Sequence, residues 1–509
     1  MKEQYIAAVD FGSSKTALAV VKVEGNNATL VFFNTKDSGT SIRHSAIANT
    51  TKVSQNIKDL VKEAEDNLGI HIPLLLTSYP KYYIRLEKNQ GEIKREKPEE
   101  GITKEEIEEI KSEAMYNYPL EDTEKENVIG AVAQSFSIDY DMNVPESNII
   151  GVDGTALKGN FSIFIGKKND SVRIDNAIKN IGIDMDDKCF SASWVADAVL
   201  TDNEKKTGVA LIDFGGGATS VTIYCDEVLR HYASIPFGGK NITRDIASEC
   251  GIDDELAEEI KLQYGGCIVA RMQNLAEKTL RINYADSIKE VGIPYLTEII
   301  QYRVKEIIEA ICYEIECSGY ADKLQNGVVI TGGCANLLNI CDLVKEISGY
   351  ETKRGFDHKL NVNYADFEWF GDLSCCTLWG LLNYALKNDV CFLAEVDHAK
   401  LAEIRKKKEE GQEPKPVETQ EVKPVPVAEP NEDPQPKPQP KPEPIEEPQP
   451  EPQPVGTDGG TLFGTDEYEV HRPEKPKKSK KVLRWLNKAI DKVQNEFEKD
   501  GGLFGPENQ

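Results

Sequence analysis

The chain lacks any long apolar run. No window of its 509 residues reaches about 18 uninterrupted apolar residues, so a bilayer-spanning helix is excluded and any membrane contact has to be peripheral. The first apolar stretch, Tyr5 to Val9, is too short for a signal-peptide core and is closed by Asp10. Metal-type cysteine pairs are also missing. The eleven cysteines show no CxxC…CxxC spacing, which excludes zinc ribbons and fingers. Many stand beside apolar residues, as in Ala310-Ile311-Cys312 and Ser374-Cys375-Cys376, and read as buried free thiols in a reducing cytosol. Positive charge is the third shortage. Sixty Lys and Arg face 86 Asp and Glu, a formal net charge of −26, which excludes nonspecific nucleic-acid binding by the protein as a whole.

What is present falls into a body and a tail. From Lys2 to about Asp397, short β-branched runs alternate with helical patterns and turn residues, as in a folded α/β protein of two or three domains. Ala399 to Glu410 is a charged, helix-like stretch. Between Pro414 and Pro454 lie fifteen of the chain's 25 prolines, enough to forbid a helix interior or a sheet ladder. That segment reads as an extended, partly polyproline linker that reaches on the order of 100 Å when stretched.

Three turns carry the chemistry. The strand Tyr5-Ile6-Ala7-Ala8-Val9 runs into Asp10-Phe11-Gly12-Ser13-Ser14-Lys15-Thr16 and a second apolar run follows. Backbone amides, the Ser13 and Ser14 hydroxyls and Lys15 can cradle phosphate oxygens there, and Asp10 can hold Mg²⁺ through water. About 200 residues later the pattern recurs. Val209 to Ile212 leads into Asp213-Phe214-Gly215-Gly216-Gly217-Ala218-Thr219, where three consecutive glycines leave the backbone bare for close approach. Asp213 is the candidate for positioning water or magnesium. The third turn is Thr331-Gly332-Gly333, at the end of the buried strand Val328 to Ile330, where a flat adenosine or an α-phosphate can lie against the backbone. Two related halves facing one nucleotide are expected.

Two Asp-Gly phosphate turns followed by a Thr-Gly-Gly turn resemble the actin, sugar-kinase and DnaK-type chaperone superfamily. The local text is similar to the FtsA family of bacterial division proteins. The segments that carry this are Asp10 to Thr16, Leu229 to Ala247 and the insert segment Phe136-Ser137-Ile138-Asp139-Tyr140. Ala257-Glu258-Glu259-Ile260-Lys261 looks like the helix that closes over the nucleoside in that family, which implies Glu258 and Lys261 as nucleotide-binding residues. The resemblance covers about residues 1–390 and, separately, the terminal helix.

The resemblance implies an actin-like two-lobed ATPase fold with an FtsA-type inserted subdomain. The first lobe is expected at 1–83 and 165–207, the inserted α/β subdomain at 84–164 and the second lobe at 208–396. A smaller nucleotide-closing part is expected within the second lobe, at about 239–324. A disordered linker at 397–474, a basic amphipathic helix at 475–497 and a tail at 498–509 complete the chain. The implied ligands are ATP and Mg²⁺. The implied partners are the C-terminal tail of FtsZ, further copies of the chain in an actin-like protofilament, an anionic membrane surface, and later division proteins through the insert. The implied place is the cytoplasmic face of the membrane at the division site, and turnover is at most that of a weak ATPase. Two departures stand out. Lys94 to Glu109 in the insert is more charged than its motif demands, and Trp194 is bulky in a helix where the family has small residues.

Two other readings fit the same body. A sugar or small-acid kinase would need a general base and a polar sugar pocket, and no such cluster stands out. A pilus-assembly relative shares body and insert but normally lacks a C-terminal amphipathic helix. That helix is the discriminator. Leu483, Leu486, Ile490, Val493 and Phe497 follow steps of 3, 4, 3 and 4 on one face, with Val482 and Trp485 flanking. Lys477, Lys478, Lys480, Lys481, Arg484, Lys488 and Lys492 supply the positive charge.

The acidic body does not forbid docking on an anionic surface, because charges beyond about 8 Å are screened and the local patch decides. Basic residues near such a surface contribute about 1 kcal/mol each, and each fully buried large apolar side chain about 1.5–3 kcal/mol. Replacing Trp485 and Leu486 together with Glu should move the chain from sedimenting anionic vesicles into the supernatant. Unchanged sedimentation would place the anchor elsewhere.

Overall fold

The structure, a computed structural model of the chain, describes residues 2–400 and 402 apart from 140, 187, 276, 277, 285, 286 and 398. The proline-rich segment, the expected membrane helix (Lys481, Val482, Leu483, Trp485, Leu486, Ile490, Val493 and Phe497 included) and the tail lie outside the described residues.

Strands Lys2–Phe11, Lys15–Glu24 and Asn27–Asp37 form an antiparallel meander in the first lobe. Alternate residues of the first strand feed two cores. Ile6 and Ala8 join the larger one, while Tyr5, Ala7, Val9 and Phe11 join a smaller one closed by helices Thr50–Leu68 and Lys168–Lys179. A strand buried on both faces has no polar side to show, which is why its sequence is continuously apolar.

The second lobe repeats this plan. Val209–Phe214, Thr219–Cys225 and Val228–Ile235 form a second antiparallel meander, and Val328–Thr331 and Thr352–Arg354 extend it in parallel. The first lobe echoes that extension where Ala7 and Val9 exchange backbone hydrogen bonds with Leu76. A smaller part carries helices Gly239–Cys250, Asp254–Tyr264 and Ile293–Cys317 and the hairpin of Thr279–Tyr284 with Ser287–Gly292.

The expected end of the second lobe at 396 needs correction. Phe392–Glu395 pairs antiparallel with Lys2 to Tyr5 as an edge of the first-lobe sheet, and the Tyr5 and Phe392 rings lie 6.1 Å apart. Helix Cys376–Lys387 packs on Ser191–Val199 and on the first strand, so the chain crosses back before it reaches 396. The reason is apolar surface: Trp379, Leu381 and Leu382 are fully buried in the core these elements share. The same helix pair explains how Trp194 is accommodated. The close approach is made by Gly380, where a Cβ would stand 2.8 Å from the Val195 nitrogen. Trp194 lies to the side, edge-on to Tyr384 at 5.0 Å.

The insert is a four-stranded antiparallel sheet in the order Arg85–Lys94, Ala156–Lys167, Glu126–Ile138, Asp141–Val144, covered by helix Lys104–Tyr116. Thr103 caps the start of that helix. Its hydroxyl accepts from Glu106 N at 3.3 Å, and Glu106 Oε2 accepts from Thr103 N at 2.9 Å, a complete capping box. The charge of Lys94 to Glu109 serves the insert itself: buried Arg95 is clamped by Glu106 at 2.8 Å and by the carbonyls of Gly154 and Glu100. The eleven cysteines are free. Six are buried as expected, whereas Cys317 is exposed at the end of its helix.

Candidate functional site

The two hairpin turns meet face to face. An added Cβ at Gly216 would come within 2.3 Å of Ser14 Oγ, and one at Gly217 within 2.2 Å of Ser13 Oγ. Only a bare backbone permits that approach. Supporting bonds hold the first turn open in shape: Ser38 Oγ donates to the Gly12 carbonyl at 2.8 Å, and Ser13 Oγ accepts from Ser45 N at 2.9 Å. Gly12 has no room for a side chain either, since its Cβ would lie 2.7 Å from the Lys15 carbonyl.

Charge concentrates where the turns meet. The Lys81 ammonium pairs with Asp213 Oδ2. Lys15 Nζ donates to Ser374 Oγ at 2.7 Å and lies 3.7 Å from Cys375 Sγ. Burial pushes the Asp10 carboxyl up from its ordinary range; Lys81 and Lys15 pull it back, and Asp213 adds to the rise. For Lys81, burial works against the charged form, but the carboxylates of Asp213 and Asp10 outweigh it and the net direction is upward. The other oxygen of Asp213, Oδ1, is buried with no hydrogen-bond partner.

The third turn joins the same place. Gly332 has φ +88° and ψ 162°, and a Cβ there would lie 2.6 Å from Asp213 Oδ1 and 2.7 Å from the Phe214 carbonyl. Gly333 stands against Ser374, the residue that holds Lys15. On the far side of the second turn, Gly239 N and Lys240 N donate to the carbonyls of Gly215 and Gly216 at 3.0 and 2.7 Å. Lys261 is buried and bonded to Glu258 Oε2 at 2.6 Å, Thr243 Oγ1 at 2.9 Å and the Gly239 carbonyl at 3.2 Å. Glu258 and Lys261 thus reach the second turn through Gly239.

One expected residue is employed differently. Thr219 is fully buried and its Oγ1 donates to the Phe237 carbonyl at 2.7 Å, so its hydroxyl fastens the sheet behind the turn. The structure also adds residues that sequence patterns did not single out: Lys81, Ser374 and Cys376, the last a buried thiol beside Asp213, Lys81 and Asp10. Lys81 carried a faint signal as the one cation in Tyr79-Pro80-Lys81-Tyr82-Tyr83, just after the apolar Leu74 to Leu76.

The donor set suits a phosphorylated ligand. Glycine turns, two lysines and hydroxyls converge beside carboxylates, one with an unspent oxygen. The family described as "Cell division protein FtsA" matches residues 210–369, which span the second and third turns and the helices between them. Curated relatives extend the likeness. The cell division protein FtsA of Pseudomonas aeruginosa is 26% identical over 356 residues, covering 70% of this chain and 84% of its own. That of Buchnera aphidicola is 26% identical over 405 residues, covering 76% and 92%. The chain is thus similar to the FtsA family across these spans. Among solved structures, the "PilM-PilN type IV pilus biogenesis complex" shares this fold with a TM-score of 0.55 at 15% identity, over 75% of this chain and 98% of that one.

Gly332 offers a direct check of this geometry. Its backbone conformation is nearly closed to other residues and costs them about 1–3 kcal/mol, before the clash with Asp213 and Phe214 is added. Gly332→Ala should therefore lower the urea midpoint clearly. A variant as stable as its parent would contradict the packing of the third turn.

Proposed function

We propose that this chain is an actin-like, ATP-binding cell division protein that tethers FtsZ filaments to the cytoplasmic face of the membrane at the division site. The observation that carries the reading is the meeting of the Ser13-Ser14 and Gly216-Gly217 turns around Asp10, Lys15 and Asp213. One ATP with Mg²⁺ is assigned to this cleft. Gly12, Ser13, Ser14, Lys15 and the backbone of Gly215 to Gly217 are assigned to its phosphates, Gly332 and Gly333 to its adenosine side, and Glu258 and Lys261 to the closing helix. The unspent oxygen of Asp213 and the carboxyl of Asp10 suit a hydrated cation. When bound, magnesium supplies positive charge against the phosphates.

Turnover is expected to be slow, because Asp213, the candidate for positioning water, is paired with Lys81 and no dedicated base or arginine donor stands out among the described residues of the cleft. The relatives named above are cell division proteins, which supports the cellular role. Among the described residues no helix is long and apolar enough to cross a membrane. The anchor is assigned to the basic amphipathic helix at 475–497. Head-to-tail protofilaments would raise the effective concentration of linked anchors, so that individually weak membrane contacts hold together. The FtsZ tail is assigned to the smaller part of the second lobe, about 239–324, and later division proteins to the insert.

Co-sedimentation tests the tether. With ATP and anionic vesicles, the full chain should carry FtsZ filaments into the vesicle pellet. FtsZ lacking its C-terminal tail should stay behind. Pelleting that is the same with or without the chain, or with or without the FtsZ tail, would overturn the tethering role.

A further inference from the structure

The segment that leaves the first lobe for the insert is fixed to the second-lobe sheet and its turn at three points. Tyr232 Oη donates to the Lys81 carbonyl at 2.6 Å. The Tyr82 ring packs on Ala218, inside the second turn, and edge-on to His44 at 6.3 Å. The Lys81 side chain reaches Asp213, where that turn begins. Lys81 is thus a partly buried cation, held at its backbone and at its ammonium, at the point where the two phosphate turns converge.

An ammonium has three N–H donors, and among the described residues Asp213 is its one hydrogen-bond partner. Asp213 in turn spends one oxygen on Lys81 and leaves Oδ1 without a partner. A partly buried lysine with donors in reserve, beside a buried carboxylate with an oxygen in reserve, is a pair that can be exchanged for other partners at little geometric cost. A buried cation left half-satisfied gains most from a second anion. Burial works against its charge, but the neighbouring carboxylates outweigh that and keep it an ammonium, so it stays competent to meet one.

We propose that Lys81 contacts the terminal phosphate of the bound nucleotide, and that this contact makes the cleft distinguish a nucleoside triphosphate from a diphosphate. The assignment rests on the nucleotide reading given above. Lys81 neutralises Asp10 and Asp213, which would otherwise repel a polyphosphate. With a triphosphate present, its unspent donors turn to the added phosphate, and Tyr82 carries the change to the start of the insert strand Arg85–Lys94. A diphosphate lacks the group that Lys81 would meet and leaves the pair with Asp213 as it is.

Calorimetric titration of the full chain with ATP and with ADP, for the parent and for Lys81→Met, tests the proposal. ATP affinity should fall at least about tenfold, the scale of one charge-assisted hydrogen bond, while ADP affinity should change by less than about threefold. Equal loss for both nucleotides, or no loss for either, would overturn the role of Lys81 and leave the nucleotide reading standing. A parent that binds neither would overturn that reading and this assignment with it. Amide exchange on the unaltered protein needs no variant to fold. The peptide over 79–84 should exchange more slowly with ATP than with ADP, and equal protection would count against the contact.

Discussion

Everything at the centre of this molecule depends on two β-hairpin turns from different lobes coming closer than side chains would allow. Ser13 and Ser14 press on Gly216 and Gly217 at distances that a Cβ would violate. The sheets behind them are arranged to make that possible. Each turn ends a strand buried on both faces, so the strand cannot shift without exposing apolar surface. The third turn follows the same logic, with Gly332 in a backbone conformation that leaves room for Asp213 and Phe214. Glycine thus lets the backbone of one turn meet the serine side chains of the other across the cleft.

The electrostatics follow from that closeness. Bringing Asp10 and Asp213 into one dehydrated place would be unfavourable without cations, since two nearby carboxylates resist joint ionisation. Lys15 and Lys81 supply the compensation from two directions, one from the first turn and one from the segment leading to the insert. The insert is therefore tied to the cleft through Lys81, Tyr82 and Tyr232 rather than hanging from the lobe as a passive addition. The tail obeys different physics. Its proline-rich stretch has little apolar surface to bury, so its contribution to the proposed role is reach, while positive charge and an apolar face are the part of the proposed anchor at 475–497.

The elements that could be read from sequence were those set by local chemistry. The glycine turns after Asp10, Asp213 and Thr331 showed themselves because an apolar strand that ends in a polar residue and glycine is a pattern local to each turn. What could not be read were pairings across long separations. Nothing local in Phe392–Glu395 says that it returns to the first strand, so the lobe boundary was misplaced. Lys81 lies 132 residues from Asp213, and a lone lysine among tyrosines carries no period or spacing. Thr219 misled for the opposite reason: its position in the turn motif suited a phosphate contact, but the pleat of the sheet points its hydroxyl at Phe237.

The central claim is that the two facing turns hold one nucleotide, and Gly216 is where it can be tested most directly. Titration of labelled ATP into the parent and into Gly216→Val compares a bare turn with one whose side chain occupies the approach path between Ser14 and the second turn. The account predicts saturable binding to the parent and its loss in the variant, in a protein that keeps its helical circular dichroism. Equal affinity in a folded variant would contradict it.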